Sequence, residues 1–491
     1  MLIKQQKMIM SSHLELYDIL ITKDNKWRQM KEMIDFQFIY NELKDKYCDD
    51  NGRPAEDPIM LFKLLLIKCI DNWSDVKLIE NLRVNMAYKY FLDLAPEETD
   101  LIDPSLLTKF RRQRLKDVEI LDLLIGKTVE IAKEKRIIKE KTKIIVDSTH
   151  TVSRYGQISP RQALINVSKE LRKNVYSFDP SMKEEMPKKR EASGILEDEI
   201  KYCEELIKIV EDNEFVTSFP AVTDKLSLLK EMVEDNNYKL AQSKDQDAKV
   251  GHKTADTSFF GYKTHIAMTP ERIITGVKVT SGEAHDGKQL KDLIEASEKA
   301  GVKVTEVIGD AAYSEKDNIE MTKEKDIKLV AKLCENITHN THRKEEFEFN
   351  KDAGMYVCPE GHMAIKTGII RHKDGSKMND RKAYYFDIEK CKICPRREGC
   401  YKEGSKAKSY TVTIKSDAHK AQEEFQNTEF FKKEYSERYK IEAKNAELKQ
   451  VYGYGKAQSE GLLGMGIQGA LSMFASNLKR IIKLSTEKTK K

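Results

Sequence analysis

The chain has 491 residues, room for about three domains, and its 86 Lys+Arg nearly balance 81 Asp+Glu, leaving a net charge of +5. That balance excludes a uniformly basic nucleic-acid coat, so any such contact must use local patches. Membrane spans are not expected. Residues 61–70 are interrupted by Lys63 and Lys68, residues 461–475 are too short and glycine-rich, and no apolar segment follows Lys4 and Lys7. A soluble, cytoplasmic protein without a membrane partner is the expectation.

Residues 1–140 read as all helical. Pro54-Ala-Glu-Asp-Pro58 opens a strongly apolar helix, and Ser74-Asp-Val opens a second, since Ser or Asp before an apolar-periodic run caps a helix. Asp103-Pro-Ser105 opens a third, which carries Lys109, Arg111, Arg112 and Arg114 with no acid between them. Such a cluster suits DNA phosphates, although a charged outer face of a bundle is the plain alternative. Cys48, Cys69, Cys203 and Cys334 sit in apolar runs and read as core.

Residues 143–147 form a short β-branched run ending in Asp147, which reads as a buried strand. His150 and Thr149 follow directly and could orient a ligand or simply be hydrogen-bonded structure. Residues 157–249 are charged, punctuated by Pro180, Pro187 and Pro220, and carry apolar residues at helical spacing. They are expected to form a helical insertion, a long hairpin offering a face to a second subunit or packed on itself. Asp245, Asp247 and Asp256 lie in loop-like sequence and rank below Asp147 as functional acids. Residues 261–268 and 273–280 then read as two strands around a turn, 285–300 as a helix, 304–310 as a strand ending in Asp310, 315–325 as a helix and 327–333 as a last strand.

Residues 335–410 form a second insertion with Cys358, Cys391, Cys394 and Cys400. The Cys391-x-x-Cys394 half, with two further thiols, suits a tetrahedral zinc shell, and His362 could substitute for one ligand. Free thiols and a redox switch remain open. Six glycines between Gly453 and Gly469 lack the Lys-Ser/Thr ending of a phosphate loop and read as close helix packing.

Residues 425–451 contain neither Pro nor Gly and read as one helix. At about 100° per residue, Arg438, Glu442 and Lys449 fall at about 300°, 340° and 320° from Tyr435, one narrow face. A solvated charged stripe is the plain alternative. Asp147, Asp310 and Glu442, brought together, would repel one another unless a divalent cation joined them, and an all-oxygen set favours Mg²⁺ or Mn²⁺.

Three strands, helix, strand, helix, strand and a late acidic helix follow the ribonuclease H-like order. Tyr435-x2-Arg438-x3-Glu442-x6-Lys449, Asp147-Ser-Thr, Asp310-Ala-Ala-Tyr313, Phe260-Gly-Tyr-Lys-Thr-His265, Gly251-His-Lys, Gln468 and Asn477-Leu-Lys-Arg480 occur in that context. Together they resemble the bacterial insertion-sequence transposases of the DDE type, over nearly the whole chain. The resemblance implies an α/β ribonuclease H-like mixed sheet with helices on both faces, from residues 141–156, 250–334 and 411–491, joined to the helical N-terminal domain and the two insertions. It implies Asp147, Asp310 and Glu442 as catalytic, metal-holding acids, and Tyr435, Arg438 and Lys449 on DNA. It implies Mg²⁺ or Mn²⁺ as cofactor, terminal inverted repeats and target DNA as partners, a nucleoid-associated state on DNA, and a homodimer assembled there. A non-catalytic DNA-binding repressor derived from such an element, or a nuclease without strand transfer, are the alternatives.

Overall fold

The computed structural model describes residues 11–48, 54–116, 118–156, 159–187, 195–234, 244–253, 257–334, 347–371, 380–398, 400–414 and 416–489. Asp256, weighed above as a competing acid, lies outside the described residues.

At the centre is a mixed sheet of β1 (Lys141–Val152), β2 (Lys249–His252), β3 (Ser258–Met268), β4 (Ile274–Ser281), β5 (Lys303–Ile308) and β6 (Lys328–Val330). β3 pairs antiparallel with β1 and β4, while β5 pairs parallel with β1, and β6 parallel with β5. Setting aside the short β2, the order is β4-β3-β1-β5-β6. This is the ribonuclease H-like arrangement. Alternation along β1 sends Ile144 and Val146 into a core with Leu290, Leu293 and Ile294, whereas Ile145 enters the core shared with the Ile120–Glu134 and Gly461–Thr489 helices. Helices therefore cover both faces, as a buried parallel centre requires.

Several elements depart from the sequence expectations. β1 runs five residues beyond Asp147, because Ser148-Thr-His-Thr-Val152 alternates and pairs with residues 261–265 of β3. β2, where no strand was expected, pairs with the start of β3. The single helix expected over 425–451 is instead three: Asp417–Gln426, Glu429–Ser436 and Tyr439–Val451. Thr428 caps the second by accepting from the Phe431 N–H. At Glu437 and Arg438 the chain tightens to i→i+3 bonds, Lys440 N to Glu437 O and Ile441 N to Arg438 O, both 3.1 Å. Tyr435 and Glu442 thus belong to different helices, and a single helical wheel cannot relate them.

The N-terminal helices begin as expected, with Asp57 capping Pro58–Asp71 and Ser74 capping Asp75–Val84. They share one core with the C-terminal helix and one face of the sheet; the Phe62 and Phe474 rings meet edge-on at 6.0 Å. In the first insertion, Pro160–Phe178, Leu196–Glu211 and Pro220–Glu234 pack around Leu164, Leu171, Leu206 and Leu229. Their apolar faces close on one another, a three-helix unit rather than a long hairpin. The second insertion is a small β unit, with strands Lys366–Ile370, Arg381–Phe386 and Lys408–Thr413 and a Glu348–Asn350/Met355–Val357 hairpin. Among the described residues its buried apolar cluster is small, built on Phe347, Ala364, Tyr384 and Phe386. The chain returns through Asp417–Gln426, where Gln422 Nε2 donates to Leu329 O and Ala331 O, both at 2.9 Å, and covers the edge strand β6.

Cys69 and Cys203 are buried as expected, but Cys48 is exposed and Cys334 only half-buried. The chain leaves the core after Leu43, through an exposed turn at Lys44–Lys46, which carries Cys48 outward. Among the described residues no helix is long and apolar enough to cross a membrane.

Candidate active site

Ile145 and Ile308 are register partners on the parallel strands β1 and β5, and both face the larger core. Asp147 and Asp310 stand two residues beyond them, so alternation turns both carboxylates to one face at one level. Gly309 permits this approach: a Cβ there would lie 2.7 Å from the Tyr313 ring and 3.0 Å from Val146 Cγ2. Asp310 Oδ1 accepts from the Ala312 N–H at 2.9 Å, which fixes its carboxylate at the head of the Ala311–Tyr313 turn. Burial pushes Asp147 up to about 7, against the Ser148 N–H, with the charges of Asp310 and Asp286 adding to the rise and Arg438 opposing it. Asp310 is also raised by burial, with Asp286 adding and the Ala312 N–H and Arg438 opposing. Two such acids favour an added positive charge.

The Tyr439–Val451 helix passes beside them. Asn445 Nδ2 donates to Asp147 Oδ2 at 3.0 Å. Glu442, one turn earlier, is 57 % exposed, and its Oε1 accepts from Arg438 Nη2 at 2.6 Å. Arg438 therefore holds Glu442 while its charge favours the ionised forms of both aspartates. Lys449 Nζ lies 3.4 Å from His150 Nδ1. Burial holds the His150 imidazole below its ordinary value, and Lys449 adds to this. The Tyr435 ring stacks on Phe431 at 5.7 Å, with Lys332 Nζ 4.7 Å from its centre, a packing position against the core.

Asn445, Asp286 and Lys263 were not singled out in the sequence. Asn445 had one available signal, its place three residues after Glu442. The turn that holds Asp286 gave none specific enough. Thr149 Oγ1 is buried with no hydrogen-bond partner among the described residues. Asp245 is a buried structural acid, accepting from Ser153 and Tyr262 hydroxyls and the Gly461 N–H, and Asp247 accepts from the Leu462 N–H. Gln468 holds residues 456–458 through Gln458 N and Lys456 O. Asn477 clamps Ile274 N and O, and Arg480 holds Glu271 O, so these shared blocks fasten the β3–β4 turn to the last helix.

The four N-terminal cations divide. Arg111 pairs with Asp75 at 2.6 Å beside Lys68, and Arg114 lies over the Tyr47 ring while donating to Lys46 O. Lys109 and Arg112 are exposed. In the second insertion Cys358, Cys391, Cys394, Cys400 and His362 line one hollow of about 470 Å³.

The donors around Asp147 are all oxygens: two fixed carboxylates, a third on the adjacent helix, and Asn445 Oδ1, which is buried with no hydrogen-bond partner among the described residues. Such a set fits a hard divalent cation. Among the described residues no three His, Cys, Asp or Glu side chains already stand at metal-holding distances. Residues 15–113 match a family model described as "Transposase domain (DUF772)", and residues 233–478, half of the chain, match one described as "Transposase DDE domain". The chain belongs to the DDE transposase family. It is the transposase of an insertion sequence, an enzyme that cleaves and joins DNA phosphodiesters in a reaction dependent on divalent metal, usually Mg²⁺ or Mn²⁺. Asp310 and Glu442 fall inside the matched DDE range, and Asp147 precedes it. No curated protein and no solved structure matches the chain.

Proposed function

We propose that Asp147, Asp310 and Glu442 are the transposase's catalytic acids and hold its divalent ions. The observation that carries this is the place of Asp147 on β1 and of Asp310 just past β5, each two residues beyond the register pair Ile145 and Ile308, with Asn445 of the Glu442 helix bonded to Asp147. Bound Mg²⁺ or Mn²⁺ would activate the attacking oxygen and stabilise charge on the phosphodiester. Asn445 orients the Asp147 carboxylate. Arg438 and Lys449 grip phosphates at the transposon end, Arg438 through paired hydrogen bonds and Lys449 as a point charge. An incoming phosphate competes for Arg438 and frees Glu442 for the aspartates. Hydrolysis leaves a 3′-hydroxyl on the transposon end, and that hydroxyl then attacks target DNA.

Terminal-repeat recognition in this reading uses Lys109 and Arg112, whose charges face solvent, while Arg111, Arg114 and Tyr435 hold the fold. The functional units are residues 1–140, the sheet segments 141–156, 250–334 and 411–491, and the insertions 157–249 and 335–410. We further propose a homodimer on DNA, supported by the aromatic cluster of exposed Phe178 and Phe215 with half-buried Phe219 on the three-helix unit. We also propose a structural Zn²⁺ held by Cys358, Cys391, Cys394 and Cys400. Burial raises the Cys391 thiol, and the other three cysteines add to the rise, so all four share one neighbourhood. A unit with so small a core needs such a staple.

The test of the catalytic assignment is end cleavage with Mg²⁺. Asp147→Ala, Asp310→Ala and Glu442→Gln should each abolish it while end binding persists. Cleavage surviving in any one of the three refutes that residue's role.

A further inference from the structure

β5 ends at Ile308, opposite Ile145, while β1 runs on to Val152. The edge of β1 left open there is met by the chain that leaves the Tyr439–Val451 helix. Val152 N donates to Gly455 O at 3.0 Å, and Ala457 N donates to Val152 O at 2.8 Å. Thr151 Oγ1 donates to Tyr454 O at 2.8 Å. Lys449, in the last turn of that helix, is thereby held against β1, with its Nζ 3.4 Å from His150 Nδ1.

The imidazole is also supported from β3. Its ring centre lies 4.9 Å from that of Phe259, with the planes at 35°. Phe259 rests in turn on two glycines. A Cβ on Gly251 would lie 2.6 Å from its Cζ, and one on Gly282 would lie 3.2 Å from its Cε2. Side chains at those positions would displace the ring that backs His150.

The contact with Lys449 fixes the tautomer. An ammonium donates and never accepts, so Nδ1 must face it with a lone pair. The ring is then neutral and carries its one proton on Nε2. Burial holds the imidazole below its ordinary value in the same sense, with Lys449, Lys253 and Lys263 adding to this. Lys263 is itself engaged by Asp286 at 3.1 Å. Among the described residues the ring's hydrogen bond is the one with Lys449, which leaves the Nε2–H to donate elsewhere. A half-buried ammonium and an N–H donor stand side by side, and a half-buried cation beside a neutral ring favours an anion.

We propose that His150 and Lys449 hold one phosphate of the transposon end together, His150 as a neutral donor from Nε2 and Lys449 by its charge. The proposal rests on the reading of Lys449 as a phosphate contact. Three residues along β1 separate His150 from Asp147, about 10 Å. The phosphate held is thus a neighbour of the one attacked, and the pair sets which phosphodiester reaches the acids.

The test is binding of transposon-end duplexes by the full chain, with chelator, each phosphate near the cleavage site being replaced in turn by a neutral methylphosphonate. The parent should lose affinity at one position, and that loss should shrink in both Lys449→Ala and His150→Phe, because groups that share a contact are not additive. On unmodified DNA, His150→Phe should bind about tenfold more weakly, the scale of a hydrogen bond to a charged group. Its slope of log K against log salt should match the parent's, since a neutral donor releases no counterion. His150→Gln, whose amide nitrogen falls near the place of Nε2, should recover most of the affinity. An undiminished methylphosphonate loss at every position in His150→Phe, with the loss gone at one position in Lys449→Ala, overturns the role of His150 and leaves Lys449 standing. Undiminished losses in both variants overturn the reading of Lys449 as well. A lowered salt slope in His150→Phe, or no recovery in His150→Gln, reduces His150 to a support for Lys449 and overturns the direct contact. Should His150→Phe fail to fold, the same comparison in His150→Ala decides.

Discussion

Asp147 keeps its proton up to about pH 7 in the folded protein, whereas an unfolded aspartate loses it near pH 4. With metal chelated, the folded state binds the extra proton between those values. This group's contribution to stability is therefore full below pH 4 and is lost as pH rises to 7. Asp147→Asn is neutral throughout, so with chelator it should melt a few degrees higher than the parent at pH 7 and at the parent's temperature near pH 4. Thermal melts at the two pH values check this; an equal shift at both, or none, contradicts it. In cleavage, losses from Asp147→Ala and Asp310→Ala should not add, because acids that share ions act as one unit; a double variant measured against each single one decides. The positions of Asp147 on β1 and of Asp310 just past β5 were legible because both close β-branched runs, and that of Glu442 on a late helix because it sits in a spaced motif. Asn445 was not, since what distinguishes it is a hydrogen bond made across the fold to Asp147 on β1.

At the scale of elements, strand order and the two flanking layers were readable from alternation and helical spacing. The break at Glu437 and Arg438 was not, because no Pro or Gly marks it and the i→i+3 tightening is compatible with good helix formers. The β unit around the cysteines was also hidden, its strands being short and its apolar cluster small among the described residues. The N-terminal cations looked alike in sequence, yet Asp75 claims Arg111. Arg111→Ala should thus lower stability by about 1–3 kcal/mol through a half-buried, hydrogen-bonded carboxylate left without its guanidinium, with little change in DNA affinity per folded molecule. Arg112→Ala should do the reverse, and chemical denaturation beside a binding titration separates them. For the cysteine unit, protein purified without added metal should carry one zinc per chain, and Cys391→Ser or Cys394→Ser should lose it together with protection of the 381–386 strand from hydrogen exchange. Metal analysis finding no zinc, or full protection in the serine variants, removes the ion from the account.

At the scale of the molecule, the N-terminal helices, the last helix and one sheet face share a core, which the helical character of residues 1–140 did not reveal. DNA held by Lys109 and Arg112 would then be tied rigidly to the sheet that cleaves it. Arg438→Ala and Lys449→Ala should each weaken end binding and lower the slope of log K against log salt by about 0.9 per lost phosphate; unchanged slopes in both reduce that helix face to a solvated stripe. The most direct measurement of the central claim is the position of Mn²⁺, by anomalous scattering, in crystals of the full chain bound to transposon-end DNA. The account predicts manganese between Asp147 and Asp310, with Glu442 turned onto it and Arg438 on a phosphate. Manganese bound away from Asp147 and Asp310, or Glu442 still paired with Arg438 in a cleavage-competent complex, would contradict it.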